Sequence, residues 1–143
     1  MTSEQTRQCE HALHSKEWIC TLALLLSVAI LYRDGHYSQA VFDASKALVN
    51  FVKERSGKYD LDGTKLMTTV FSKNNPVLAF NELKDQSDSD EQEGMMYLFM
   101  GAVLGVRNPR GHSFLTDSPE GALEYIGLLS LLANRVEKAK RRP

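Results

Sequence analysis

EGMMYLFMGAVLGVRNPRGH, residues 93–112, is the stretch that decides the fold. Its first half is almost entirely apolar, and its last eight residues then bring two arginines, an asparagine, a proline and a histidine. An apolar helix of this length is typical of the centre of a helical bundle and is too short to span a bilayer. We therefore predict a central helix from about Asp90 to Arg107. Pro109 is predicted to break it, because proline lacks an N–H and its ring clashes with the preceding turn.

Apolar residues at helical spacing predict further helices on both sides of this stretch. Ser38 is expected to cap the second helix, Ser89 and Gln92 to form a capping box, and the Ser118–Pro119 pair to start the last helix. No run of alternating β-branched residues predicts a strand. The fold class is therefore all-α, an up-and-down bundle of four main helices plus a short helix. The helices other than the central one are predicted at about Ser15–Arg33, Ser38–Arg55, Gly63–Phe71 and from Pro119 onward.

Length and charge restrict the class of protein. The 143 residues fit one domain, with residues 1–15 expected to form a flexible leader and residues 16–143 the helical domain. A formal net charge of −1 argues against nucleic-acid binding through bulk charge, although a local basic patch stays open. The chain has two cysteines and no signal-peptide pattern at its N-terminus. These features predict a reducing, cytoplasmic location and no membrane association.

The sequence gives no metal or cofactor signature. His11 and His14 stand near Cys9, but zinc usually takes four ligands, and no second pair follows. The acidic residues between 85 and 93 have a plain explanation, since a helix start favours negative charge. The lysines and arginines between 135 and 142 fit a solvated helix end equally simply, with a phosphate contact as the alternative. We expect no metal and no cofactor.

The residue types in RNPRGH, residues 107–112, suit the cleavage of RNA. If the chain turns at Pro109, Arg107 and His112 can converge on one pocket. Imidazole titrates near neutral pH and can act as a general acid or base toward a ribose hydroxyl, while a guanidinium can clamp the phosphate. Asn108 could orient either group, and Arg110 could contact RNA. On spacing alone, the alternative that these are ordinary polar residues at a helix exit stays open.

The same stretch resembles a known family. GAVLGVRNPRGH, residues 101–112, resembles the signature of the Ymh-type family of the HEPN superfamily of all-helical domains. Similar segments occur in the same order in residues 32–52, 62–72 and 75–83, so that the resemblance covers roughly residues 30 to 135. One departure is Gly111, since alanine usually stands before the motif histidine.

The resemblance implies a HEPN-like fold and a function. HEPN domains carry an Arg-x4–6-His motif, which maps onto Arg107, Asn108 and His112. Many members are metal-independent endoribonucleases in toxin–antitoxin or abortive-infection systems, and they often work as homodimers in which two motifs meet. The leading interpretation is therefore a homodimeric endoribonuclease with RNA as substrate and an antitoxin or neighbouring defence protein as partner. The alternative is a non-catalytic module that binds a nucleotide or a protein, and a purely structural domain is a third.

Overall fold

The protein is predominantly helical, as the sequence predicts. The computed structural model describes the backbone of residues 16–143 and the side chains from residue 24 onward. The predicted leader, with Cys9, His11 and His14, lies outside the described residues. The elements in chain order are α1 (Lys16–Arg33), α2 (Tyr37–Ser56), α3 (Gly63–Val70), β1 (Leu78–Ala79), α4 (Gln86–Gly101), a π-helical segment (Ala102–Arg107), α5 (Asn108–His112), α6 (Pro119–Lys138) and β2 (Lys140–Arg141).

Helix α2 is the axis of the fold. It packs against α1, α6, the π segment and α3, and its buried residues recur at helical spacing. The ends of α6 are tied to the matching ends of α2. At one end the Asp117 N–H donates to Ser38 Oγ at 2.9 Å, and at the other Arg55 donates to the carbonyls of Glu137 and Ala139 at 3.2 and 3.1 Å. Helices α2 and α6 therefore run parallel along their whole length.

Helix α4 and the π segment run antiparallel to α6. Near the start of α4, Glu91 lies 3.4 Å from the guanidinium of Arg135 in α6. Beyond the π segment, the Arg110 guanidinium stacks 4.5 Å over the Tyr125 ring near the start of α6. We call the continuous helix from α4 through the π segment to α5 the α4 rod. The two contacts fix its direction relative to α6, because each joins the beginning of one element to the end of the other.

The hydrophobic core contains a stack of three aromatic rings. Phe71 lies between Phe80 and Phe99, with ring centroids 5.0 and 4.3 Å away. Offset stacking of this kind stabilises a core beyond its buried area. Phe71 and Phe99 are fully buried, so that the stack joins the end of α3 to the last turn of α4.

Three details of the sequence prediction are wrong. Helix α4 begins at Gln86 with Asp85 as its N-cap, because the Asp85 carboxylate accepts from the Asp88 N–H at 2.9 Å; the predicted capping box of Ser89 and Gln92 does not form. A two-residue antiparallel strand pair, β1 with β2, exists where none was predicted. Strands of two residues are too short to show the alternation of apolar and polar residues from which strands are predicted.

Other helix boundaries are confirmed. Helices α1, α2 and α3 lie within a residue or two of their predicted ranges, and α6 begins at Pro119 with the Ser118 hydroxyl accepting from the Gly121 N–H. Among the residues described here, no helix is both long enough and apolar enough to cross a membrane.

Gln92 is the polar centre of the core. Its side chain is fully buried, and its amide donates to the Phe71 and Leu78 carbonyls at 3.2 and 3.1 Å. Its carbonyl oxygen accepts from the Phe80 N–H at 3.0 Å. One side chain thus pairs three backbone groups of the segment between α3 and α4.

Replacing Gln92 by Met should destabilise the protein by at least about 2 kcal/mol, because buried backbone groups left unpaired cost roughly 1–3 kcal/mol each. Gln86→Met in the exposed first turn of the same helix is the matched control and should change stability by less than about 0.5 kcal/mol. Urea unfolding followed by circular dichroism measures both. Equal effects for the two variants would contradict the role given to Gln92.

Candidate functional site

The helix that begins with α4 continues past Pro109 without a break. The π segment ends with the Asn108 N–H donating to the carbonyl of Val103, five residues earlier, and α5 then carries the chain through Pro109 to His112. The predicted break is therefore wrong. A π turn is wider than an α turn and shifts the hydrogen-bond ladder by one residue. We attribute the tolerance of Pro109 to this wider turn, which relieves the clash that the ring would cause in a regular helix.

Arg107 and His112 consequently point to different neighbours. Five residues on one helical rod put two side chains roughly 140° apart. Arg107 Nη2 lies 3.7 Å from Asp62 Oδ2 at the start of α3, whereas His112 lines a cavity against α2. The predicted convergence of the two side chains within one chain is therefore wrong, and Arg107 is not among the residues that line the cavity.

Asp62 holds the Arg107 side chain on one flank of the rod. Its carboxylate caps α3 by accepting from the Gly63 N–H at 2.9 Å and lies 3.5 Å from Lys53 Nζ. Burial raises the pKa of Asp62, but the Gly63 N–H and the charges of Arg107 and Lys53 together bring it below the ordinary value. Asp62 thus stays ionised at neutral pH. Arg107 keeps about a quarter of its side chain exposed.

His112 is exposed at the rim of a cavity of about 380 Å³. The wall opposite comes from the first turns of α2, and the remaining wall is the chain that leaves α5. Two serine hydroxyls, one side-chain amide and two phenyl rings therefore line the same open cavity as the imidazole. The lining residues are Ser38, Gln39, Phe42, Arg110, Gly111, His112, Ser113, Phe114 and Leu115.

Arg110 holds the cavity wall together. Its Nε and Nη2 donate to both carboxylate oxygens of Asp117 at 2.9 and 2.6 Å, and its Nη1 donates to the Val106 carbonyl at 2.9 Å. Its other face lies on the Tyr125 ring. The guanidinium is thus committed on all sides, which leaves it poorly placed for the direct RNA contact expected from the sequence. It fixes the loop after α5 instead.

The ion pair of Arg110 and Asp117 shifts the pKa of both partners. The hydrogen bond from Arg110 lowers the pKa of Asp117 despite partial burial, with a smaller contribution from the Ser38 hydroxyl. Burial lowers the pKa of Arg110, but Asp117 outweighs it and raises that pKa overall. The two side chains are 4% and 10% exposed, so solvent screens the pair only weakly. Both groups remain charged at neutral pH.

Asn108 and Gly111 complete the motif. Within residues 24–143, the Asn108 side-chain amide forms no hydrogen bond and is half-buried, so it is available to a ligand. Gly111 packs on Phe42, and an added Cβ would lie 3.3 Å from that ring. An alanine at this position would therefore require the Phe42 ring to shift by a few tenths of an ångström.

The chain matches the model of one known protein family. A family model described as "Protein of unknown function (Hypoth_ymh)" matches residues 22–136, which include most of α1 and all of the cavity. The chain belongs to the Hypoth_ymh family. No curated protein and no solved structure matches it.

Several features of this Hypoth_ymh protein escaped the sequence analysis. Ser38 was expected to cap α2, but α2 has no side-chain cap and the Ser38 hydroxyl accepts from Asp117 instead. Gln39, Phe42 and the contact of Asp117 with Ser38 carried no signal, because these contacts join segments about 70 residues apart or more. Asp117 is the first acidic residue after the motif, and that was the one available hint. In the part of the chain with described side chains, no group of His, Cys, Asp and Glu could hold a metal ion.

Asp117→Asn should cost about 2–3 kcal/mol of stability near neutral pH, because it leaves the nearly buried Arg110 without its counter-charge. A carboxylate with a lowered folded-state pKa stabilises the protein above its ordinary pKa and loses that contribution as pH falls through the folded value. The gap between the wild type and the variant should therefore narrow below about pH 4.

Urea unfolding at several pH values measures this gap. Asp34→Asn is the matched control, since it removes the acid of an exposed pair with Arg33. That control should cost less than about 0.5 kcal/mol. A gap for Asp117→Asn that does not change with pH would contradict the assigned ion pair.

Proposed function

We propose that this Hypoth_ymh protein is a metal-independent endoribonuclease of the HEPN type, acting as a toxin or phage-defence effector. The observation that carries the proposal is the position of His112, an exposed imidazole at the rim of an open cavity, five residues after an arginine with a partly exposed guanidinium. An imidazole accessible to solvent can exchange protons with a ribose 2′-hydroxyl. The sequence resemblance to HEPN domains supports the same assignment.

His112 acts as the general acid or base in the proposed reaction. It takes the proton from a 2′-hydroxyl, whose oxygen then attacks the neighbouring phosphorus, or gives a proton to the 5′-oxygen that leaves. The products are a 2′,3′-cyclic phosphate and a 5′-hydroxyl end. No cofactor is needed for this step. Arg107 clamps the phosphate and stabilises the charge that develops on it, and the free amide of Asn108 positions either group.

One chain does not supply Arg107 and His112 to the same pocket, and a homodimer would supply the missing group from the second copy. The exposed faces of α4 and α6 favour such a dimer. Gly94, Leu98 and Gly101 on α4 and Gly105 on the π segment follow one another at spacings of four, three and four residues, on the side that also carries Glu91. A Cβ added at any of the three glycines would meet nothing in the chain.

Helix α6 extends this surface. Leu128 and Leu131 are 38% and 52% exposed and lie between the two contacts that join α6 to the α4 rod. Leu98 on α4 is 48% exposed, and we call these three exposed leucines the α4–α6 face. Large exposed apolar patches are unusual on monomers, and a two-fold interface buries the same residues on both copies.

A binding module is the second candidate function. Phe114 is fully exposed beside the cavity, and Phe42 forms part of its wall. Exposed aromatic rings stack on nucleobases without requiring chemistry. In this case the cavity holds a nucleotide, or the α4–α6 face holds a neighbouring protein such as an antitoxin, and no RNA is cut.

His112→Ala should lower RNA cleavage in EDTA by about 100-fold or more, in line with the loss of a general acid or base. Arg107→Ala should do the same. His36→Ala is the matched control, because His36 is an exposed histidine in the turn before α2 with no side-chain cap bond. It should leave the rate unchanged.

Cleavage is followed by gel electrophoresis with analysis of the cut ends, and folding by circular dichroism. Equal rates for His112→Ala and the wild type would exclude His112 as the catalytic group. Nucleotide binding without cleavage by the wild type would select the binding module.

Leu98→Glu combined with Leu131→Glu should convert the dimer into a monomer of 16.1 kDa, because charges are costly in a buried interface. The same variant should lose cleavage. Tyr59→Glu is the control, since Tyr59 is 68% exposed in the loop between α2 and α3. Light scattering after size exclusion gives the mass. A wild-type protein that is monomeric at micromolar concentration would contradict the proposed interface.

A further inference from the structure

A second cavity lies at the opposite end of α2. It has a volume of about 290 Å³, and its wall includes Gly57, Lys58 and Asn75 together with the tail residues Arg141 and Arg142. We call it the tail cavity. Helix α2 has 20 residues, so the tail cavity lies roughly 30 Å from the His112 cavity.

The tail is held in place by its backbone rather than by its charges. Arg141 pairs with Leu78 in the strand pair of β1 with β2, and the Arg142 N–H donates to the Val77 carbonyl at 2.9 Å. The Arg141 guanidinium lies against Gly57, where an added Cβ would be 3.1 Å from Nη2. Gly57 has a φ of 72°, the left-handed conformation that suits glycine. The backbone thus fixes the strand that carries two cations beside the end of α2.

These cations are not needed to cap the helices. Arg55 already donates to the carbonyls at the end of α6, and the Ser56 hydroxyl donates to the Val52 carbonyl at 2.6 Å at the end of α2. Helix C-termini attract cations, but each carries only about half a negative charge. The C-terminal ends of α2 and α6 together therefore neutralise about one positive charge, whereas Lys58, Arg141 and Arg142 carry three.

No aspartate or glutamate of the described residues pairs with these cations. In residues 24–143, none of the three forms an ion pair with an Asp or Glu side chain within 4.0 Å, whereas Arg107, Arg110 and Arg135 each have an acidic partner. The Asn75 side chain adds an amide that can donate to an oxygen. A concave wall with excess positive charge and an amide donor matches the chemistry of a phosphate group.

We propose that the tail cavity binds a backbone phosphate of single-stranded RNA, at a distance from the His112 cavity. The choice of RNA rests on the proposed function. The site holds substrate and takes no part in the chemical step, because it lies a full helix length from His112. It explains how a chain with a net charge of −1 can bind a polyanion, since the positive charge is concentrated at one place.

The test measures binding of a fluorescently labelled oligoribonucleotide of about 12 nucleotides, a length within the usual range for single-strand sites. All proteins carry His112→Ala, so that cleavage does not interfere. Arg141→Gln with Arg142→Gln should weaken binding several-fold and should lower the slope of log K against log salt by about 1. Arg33→Gln with Lys84→Gln removes the same charge from exposed positions and should leave the slope unchanged.

The outcomes separate this proposal from the proposed function. Equal binding by the two double variants, or no RNA binding by the His112→Ala protein, overturns the tail site, whatever the wild-type protein cleaves. Competition by adenosine monophosphate or inorganic phosphate at micromolar concentration also overturns it, because the site would then prefer a free phosphate. Absence of RNA cleavage by the wild-type protein, with intact, salt-dependent binding at the tail cavity, would overturn the nuclease assignment alone.

Discussion

The π turn at Ala102–Arg107 is the constraint on which the site depends. It carries the rod past Pro109 as a helix, and the position of every motif side chain follows from that. A true break would have let Arg107 and His112 turn toward each other. The continuous rod instead directs Arg107 to the start of α3 and His112 to the start of α2. π turns are rare and occur frequently at functional sites, because a local function outweighs their cost.

Some basic side chains in the described part of this molecule are enclosed in structural contacts, whereas others are exposed and form none. Arg110 is almost completely enclosed and serves to tie the loop after α5 to α2 and α6 through Asp117 and Ser38. His112, two residues later, is exposed and free of such ties. The contrast is typical of a site in which a rigid wall supports a reactive side chain. Basic residues at the far end of α2 complete the pattern, since they are held by backbone pairing and keep their charge available.

A single chain leaves large apolar side chains of α4 and α6 exposed to solvent. Helices α4 and α6 run antiparallel, both expose leucine side chains, and α4 and the π segment also expose glycines. These glycines weaken the helix by roughly 1 kcal/mol each relative to alanine. Glycines lack a Cβ, so this cost in helix stability would allow the backbone of a second helix to approach closely. A second copy of the chain would bury this surface and bring a second motif with it.

The sequence by itself determined the helical class, the ranges of α1 to α3, the start of α6 and the family, because apolar spacing, caps and motif residues are local signals. It also singled out the residues from Arg107 to His112 as the place to look. The tertiary structure decided where those side chains go. The packing of the loop after α5 on α2, the bond from the Asp117 N–H to Ser38 and the burial of Gln92 each depend on contacts outside the local sequence. Local propensity contains no information on such contacts, so the geometry of the site could not be read from the sequence.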